Sequence, residues 1–341
     1  MRLITYSASG RDGLRLGALV DGDQWIVDLQ AAALDRGRAA DAFASMLALI
    51  DAGPASLDDA RTLADARPDT AMIEADLAHL HAPLPNPRRL RDCTCFLQHL
   101  RNAREVRYTR LAAREADPAA AFARFKTAGA LDVPEEWKAA PVYLNSNHLS
   151  IIGPGDDAIW PDEARRMDYE LEWAVVTGSA GTDINADQAA KHFFGFTIFN
   201  DISARDIQAI EIRTGAGMGG PGKDFDAGNI MGPCIVTADE IADPYDQAMT
   251  ARINGEEWSR GNTGMMDHRF EDVLADLSRS QTVHAGEIFG SGTVPTGCGL
   301  EHNKYLSDGD MIELEVEKIG VLKNRIVKPA DWRDRQSPDN N

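Results

Sequence analysis

Three acidic residues in apolar settings could hold a hard cation. Glu170 and Glu172 lie in residues 167–176, where apolar and polar side chains alternate before an aromatic and β-branched finish. That pattern predicts a strand. Side chains two apart on a strand share a face and stand about 6.6 Å apart along it. Both carboxylates can therefore converge on one ion. Asp201 follows the apolar run 193–199 and Asn200, at the predicted end of another strand. Oxygen donors with no thiolate or imidazole beside them suit Mg2+, Mn2+ or Ca2+ rather than Zn2+. Alone, Glu-x-Glu on a strand is more often a solvated face, and Asp after a strand more often a turn or helix cap. The company these residues keep decides the matter.

The chain that must position them has 341 residues, 43% of them hydrophobic, which is room for one large domain and a small one. Its formal charge is 35 − 54 = −19. Such an acidic surface argues against nucleic acid and anionic membrane as partners. It also means that an anionic substrate needs a locally positive site, built from a cation and a few Lys or Arg. No run of 18 apolar residues exists, so no membrane span is expected. The first six residues lack an apolar segment of signal-peptide length and read as a first strand. Cys93, Cys95, Cys234 and Cys298 show no zinc spacing and read as reduced, mostly buried thiols of a cytoplasmic protein.

Short strands are predicted at 3–7, 16–20 and 25–29, with a hairpin-type turn at Asp21-Gly22-Asp23. Helical spacing of Ala and Leu follows at 30–50 and 57–81. Pro83, Pro85 and Pro87 punctuate the chain, placing a domain boundary near 82: a small N-terminal domain over 1–82 and a catalytic domain over 83–341 with a short polar C-terminal tail. Helices are predicted at 96–116, 118–127, 186–192, 203–212 and 269–279. Asn254-Gly255 marks a hairpin, and 311–317 and 320–327 read as closing strands. Strands dominate the second part without βαβ alternation, so the fold class is α+β with mostly antiparallel or mixed sheets.

Residues 217–223 match the start of a P-loop, but Asp224 stands where a Mg2+-ligating hydroxyl is required. A carboxylate there repels phosphate. The glycines are better read as a mobile loop that passes close to a ligand and delivers Lys223, with Met218 as loop packing.

Several segments line up in order: 92–99, with an acid and His99 seven apart; Pro141-Val142-Tyr143; Ile152-Gly153-Pro154-Gly155; Asp168-Tyr169-Glu170-Leu171-Glu172; Asn200-Asp201-Ile202-Ser203-Ala204-Arg205-Asp206-Ile207-Gln208; Gly222-Lys223-Asp224-Phe225; and Gly290-Ser291-Gly292-Thr293. In this order and spacing the chain resembles the fumarylacetoacetate hydrolase family over residues 83–328. The resemblance implies a mixed β-roll preceded by a small α/β N-terminal domain, a homodimer, and Mg2+, Mn2+ or Ca2+. It implies Glu170, Glu172 and Asp201 as metal ligands, with Asp92 as a fourth. It implies His99 as general base, Glu301 as the carboxylate that orients it, Lys223 as the active-site lysine, and Gln208 and Thr293 at substrate positions. Shorter members carry Glu three residues after this His; here Asn102 stands there, which is why Glu301 is assigned. Ile212 and Leu144 replace two substrate tyrosines of the hydrolase that names the family, and Tyr143 sits next door as a substitute contact. Arg205 and Asp206 are expected to pair with each other inside their turn.

The implied activity is hydrolysis of a C–C bond in a β-diketone or acylpyruvate-type keto acid. Cleavage between two carbonyls leaves an enolate, whose energy a divalent cation lowers. Water is a poor nucleophile near neutral pH, and imidazole has the proton affinity to activate it. A carboxylate such as Glu301 would fix the imidazole tautomer, and Lys223 would neutralise substrate carboxylate or oxyanion charge. The alternatives on the same metal site are a decarboxylase, hydratase or isomerase of a small keto acid, and a silent metal-binding protein.

Overall fold

The computed structural model describes residues 1–215, 217 and 219–329. Met218 and the C-terminal tail expected after residue 329 lie outside the described residues.

The chain opens with β1 (Arg2–Ala8), β2 (Arg15–Val20) and β3 (Trp25–Asp28), followed by α1 (Leu29–Asp35), α2 (Met46–Ala52) and α3 (Pro54–Ala66). Then come β4 (Met72–Glu74) and β5 (Ala78–His81), where helix was expected. β5 pairs with β1, and β4 with β3. The helical reading of 57–81 thus ends at Ala66. The two short strands beyond it follow from partners far away in the chain.

Next are β6 (Arg89–Cys93), α4 (Leu97–Ala112), α5 (Pro118–Thr127), α6 (Glu135–Ala139), β7 (Tyr143–Ser146), β8 (Ile151–Ile152) and β9 (Asp157–Ile159). β10 (Met167–Asp168), β11 (Glu172–Thr177), α7 (Ala186–Ala189), β12 (Phe193–Asp201), β13 (Ser203–Ala204) and α8 (Arg205–Thr214) carry the acidic motifs. The remainder is β14 (Asn229–Thr237), β15 (Ala248–Ile253), β16 (Glu256–Asn262), α9 (Phe270–Leu277), β17 (Glu287–Gly290), α10 (Gly299–His302), β18 (Met311–Val316) and β19 (Gly320–Val327). The β15–β16 turn holds Asn254 at φ 52° and Gly255 at φ 83°, the left-handed pair that a tight hairpin requires.

The main sheet runs β4-β3-β2-β1-β14-β12-β11-β17-β6-β7 and mixes parallel and antiparallel pairs. It continues across residue 82 through the β1–β14 pairing. A second sheet runs β16-β15-β18-β19-β9. The architecture is α+β with mixed sheets, as the strand-rich pattern predicted. Two apolar clusters cover the two faces of the main sheet. Trp173, Val175 and Phe196 belong to one, where the Trp173 ring stacks on Phe196 at 5.1 Å. Leu90, Ala174, Val176, Phe199 and Ile288 belong to the other. Alternation along each strand therefore decides which residues can share a site. No helix among the described residues is long and apolar enough to cross a membrane.

Candidate active site and metal centre

Asp92, Glu172 and Asp201 meet at one end of the main sheet. Asp92 is next to last in β6, Glu172 is first in β11, and Asp201 is last in β12. β17 lies between β6 and β11, with Gly290 opposite both Asp92 and Ala174. Two-residue periodicity puts Asp92 on the face of Leu90, Glu172 on that of Ala174, and Asp201 on that of Phe199. All three thus extend the same apolar face. Gly290 leaves the room between them: a Cβ there would fall 2.8 Å from Phe199 and 3.1 Å from Asp92 Oδ1. Gly292, at φ 75°, donates its N–H to Glu172 Oε2 at 3.0 Å, and a Cβ there would lie 2.1 Å from the Cys93 carbonyl oxygen.

Glu170 departs from the expected continuous strand. It forms an isolated bridge with Cys298, and its N–H donates to Asn200 Oδ1 at 3.0 Å. The neighbouring Leu171 N–H donates to the Gly297 carbonyl instead of joining β12. The carboxylate still arrives: oxygens of Asp92, Glu170 and Glu172 lie within 4.8 Å of one another. Lys223 ties in Asp201, donating from Nζ to Glu170 Oε2 and Asp201 Oδ2, both at 2.5 Å. The four acids are at most 6% exposed.

Charge explains the state of this cluster. Five buried carboxylates (Asp92, Asp168, Glu170, Glu172, Asp201) face two buried cations, Arg205 and Lys223. Burial, then the charge of Asp201, pushes Asp92 up to about 8. Burial, then Asp92, lifts Glu172 well above the carboxylate range. Burial raises Asp201 to about 6 against the pull of Lys223. For Glu170 burial is overcome by Lys223 and Arg205, which bring it down to about 2. Asp92 Oδ1 and Asp201 Oδ1 are buried and accept no hydrogen bond from the described residues. Orphaned buried oxygens are costly. Three converging carboxylates, with Asp201 joined to them through Lys223, are short of positive charge and fit a hard divalent cation.

His99, the expected base, stands beside this cluster. His99 lies in the first turn of α4, and its Nδ1–H donates to Glu301 Oε1 at 2.8 Å. Glu301 Oε2 accepts from Asn102 Nδ2 at 2.5 Å and from the Thr296 N–H at 3.0 Å. Burial opposes ionisation of Glu301, but the bond from His99 and its neighbours hold it below the ordinary range. Asn102, the residue three positions after His99, thus grips the carboxylate that His99 bonds to. The Cys298 thiol also points at Glu301 Oε1, at 3.6 Å. α4 has no side-chain cap of its own; Asp267, 170 residues away, accepts the Leu97 N–H at 2.8 Å and pins the turn that carries His99.

The remaining expected residues divide. Thr293 Oγ1 donates to Glu172 Oε1 at 3.4 Å, and Gln208 Oε1 accepts from Arg205 Nη1 at 3.1 Å. Both are buried at the cluster. Tyr143 is turned away: it pairs with Cys93, and its ring faces the Arg91 guanidinium at 5.7 Å, opposite the face of Asp92. Leu144, paired with Asp92, lines the recess beside Asp201 and Lys223 together with Asn145, Asn147 and Gly219. The expected Arg205–Asp206 pair does not form. Asp206 accepts the Arg165 and Arg166 N–H groups, while Arg205 Nε donates to Asp168 at 2.8 Å and its Nη2 lies 2.7 Å from Glu170 Oε1. A buried guanidinium gains more from two buried carboxylates than from one solvated neighbour.

Asp168 and Glu211 have structural roles that the motif alone did not reveal. Asp168 accepts from Arg205, and also from the Gly299 and Leu300 N–H groups at 2.7 and 3.0 Å. It thereby holds both the start of α10, which carries Glu301, and the cation beside Glu170. Glu211 accepts the Gly220 and Gly222 N–H groups and shapes the loop before Lys223. Asp168→Asn removes one acceptor and leaves buried donors unmatched. We expect a loss of about 3 kcal/mol in stability by urea denaturation, with weaker metal binding and lower turnover together. Unchanged metal affinity would show that Asp168 does not position Glu170.

A family model described as "Fumarylacetoacetate (FAA) hydrolase C-terminal" matches residues 94–327. Among curated proteins, the chain is 36% identical over 197 residues to the human mitochondrial oxaloacetate tautomerase FAHD2A, covering 57% of this chain and 60% of that one. It is 38% identical over 189 residues to the Rattus norvegicus mitochondrial oxaloacetate tautomerase Fahd2a, covering 55% and 59%. The chain thus matches about 60% of the length of these relatives. Among solved structures, a fumarylacetoacetate hydrolase from Exiguobacterium antarcticum superposes with a TM-score of 0.71 at 26% identity, covering 96% of this chain and 100% of that one. A probable 2-hydroxyhepta-2,4-diene-1,7-dioate isomerase from Mycobacterium abscessus gives 0.68 at 25%, covering 96% and 99%. The family-model match over most of the chain and the shared fold lead to one conclusion: this chain belongs to the fumarylacetoacetate hydrolase family.

Proposed function

We propose that the chain is a divalent-metal-dependent enzyme acting on a small anionic 2-oxo acid with a second carbonyl group, and that it cleaves a C–C bond by hydrolysis. The His99–Glu301 pair is the observation that carries this reading. A cation held by Glu170, Glu172, Asp201 and Asp92 would supply Lewis-acid stabilisation of negative charge on chelating carbonyl oxygens. Glu301 keeps the proton on His99 Nδ1 and so leaves the Nε2 lone pair free. Nε2 takes a proton from water, which adds to the distal carbonyl. The C–C bond then breaks, its electron pair forms the enolate of the 2-oxo acid, and the imidazolium returns the proton to carbon. Lys223, Gln208 and Thr293 are assigned to the substrate carboxylate and oxyanion. Leu144 takes the place in the recess that Tyr143 was expected to fill. Mg2+ or Mn2+ is the assigned metal, with Ca2+ as the alternative. A homodimer in the cytoplasm belongs to the same proposal; the four buried free thiols fit a reducing compartment, while the oxaloacetate tautomerases it resembles are mitochondrial.

A second reading is keto–enol tautomerisation of an oxaloacetate-type diacid, favoured by the 36–38% identity to oxaloacetate tautomerases. There His99 would move a proton between carbon and solvent without water attack. A panel of acylpyruvates and oxaloacetate with saturating Mg2+ separates the two. Hydrolysis yields pyruvate and a second acid in equal amounts. Enol decay without new acid supports the tautomerase, and silence on every substrate counts against both.

A further inference from the structure

We propose that His99, Cys298 and Glu301 form a second, inhibitory site for a borderline-soft divalent ion, Zn2+. Their positions in the chain hide it, because 99 and 298 lie far apart. The fold brings one donor atom from each within 4.8 Å of the others. Cys298 Sγ is 3.6 Å and His99 Nδ1 2.8 Å from the same oxygen, Glu301 Oε1. Zinc bond lengths place tetrahedral ligand atoms roughly 3.4–3.6 Å apart. The Cys–Glu spacing already matches, and the His–Glu spacing must open by about 0.6 Å. Sulfur, imidazole and carboxylate together are a zinc donor set, which the all-oxygen cluster next door is not.

Of the three donors His99 is the most open, with its side chain 14% exposed against 2% for Glu301, and Cys298 is buried. A neighbouring recess bordered by Asn102, Thr296, Glu301 and His302 would supply the water that completes four-coordination. Asn102 and the Thr296 N–H hold the other Glu301 oxygen, so this ligand is oriented in advance. On binding, the Cys298 thiol proton leaves to solvent. The proton on His99 Nδ1 is replaced by the metal, and a proton settles on Nε2. Zinc therefore removes the lone pair that the proposed reaction uses. The inhibitory consequence rests on the proposed role of His99; the binding does not.

The full chain, saturated with Mg2+ to fill the carboxylate site, is titrated with Co2+ while thiolate-to-cobalt charge-transfer absorption is followed. The expected result is a band saturating at one Co2+ per chain, erased by Zn2+ and absent in Cys298→Ala and Cys298→Ser. Zinc inhibition, scored against each variant's own zinc-free rate, should need about tenfold or more zinc in either variant. No band in the unmodified chain at millimolar Co2+, or a band that survives both substitutions, would overturn the site. Equal zinc sensitivity in all three proteins would overturn the inhibition through Cys298. A band without loss of turnover would leave the site standing but remove His99 from the reaction.

Discussion

Replacing His99 by alanine should lower turnover by about 10²–10⁴-fold with little change in metal affinity. Among the described residues the side chain makes one hydrogen bond, to Glu301, so the fold should survive. Glu301→Gln should lower turnover in the same direction by less, because the amide can still face Nδ1 but no longer supports an imidazolium. The double variant should be no worse than His99→Ala, since residues that act as one unit are not additive. Steady-state rates on the substrate found by the panel, with metal affinity measured in parallel, check all three. Additive losses would mean that Glu301 acts on its own. An unaffected rate in His99→Ala would leave only chemistry that needs no protein base, such as metal-assisted decarboxylation.

Replacing Glu172 by glutamine should weaken divalent binding by about 10²-fold or more and take turnover with it. The amide can keep a contact to the Gly292 N–H or to Thr293, so a collapsed fold is not expected. The unmodified cluster also has a pH signature. Asp92 and Asp201 hold their protons in the metal-free folded state up to about 8 and about 6. In the unfolded chain they lose them near the ordinary carboxylate value. The folded state thus binds more protons between those limits, so metal-free stability falls as pH rises from about 4 through 6 to 8. Bound Mg2+ replaces those protons, so metal affinity rises over the same window and binding releases protons. Urea denaturation with chelator and with Mg2+ at several pH values reads this directly. A metal-free protein equally stable at pH 5 and pH 8 would contradict it.

Local patterning pointed to Glu170, Glu172 and Asp201, while Asp92, His99, Lys223, Gln208 and Thr293 came from the resemblance of whole segments. Strand alternation then explains why Glu172, Asp201 and Asp92 share a face. Glu301 was named because Asn102 denied His99 its near partner, and the structure shows the two cooperating on it. What stayed hidden depended on distant parts of the chain. Asp168 reads as an ordinary strand residue until α10 presents two N–H groups to it from 131 and 132 residues away. Arg205 has Asp206 beside it, yet bonds to Asp168, 37 residues back. Tyr143 and Leu144 differ by one position, and only the register with β6 says which faces the acids. The same holds for the fold: β4 and β5 are strands because β3 and β1 are there to pair with them. The joining of the first strands to the catalytic sheet rests on β1 meeting β14, over 230 residues away.

The most direct measurement is a Mn2+ titration followed by electron paramagnetic resonance on the unmodified chain and on Asp201→Asn. Four inward carboxylates with a deficit of positive charge should take up one Mn2+ per chain at sub-millimolar concentration, and Mg2+ should compete for it. Asp201→Asn should lose most of that affinity. No protein-bound Mn2+ at millimolar levels, or binding indifferent to the loss of Asp201, would contradict a metal centre at the end of this sheet.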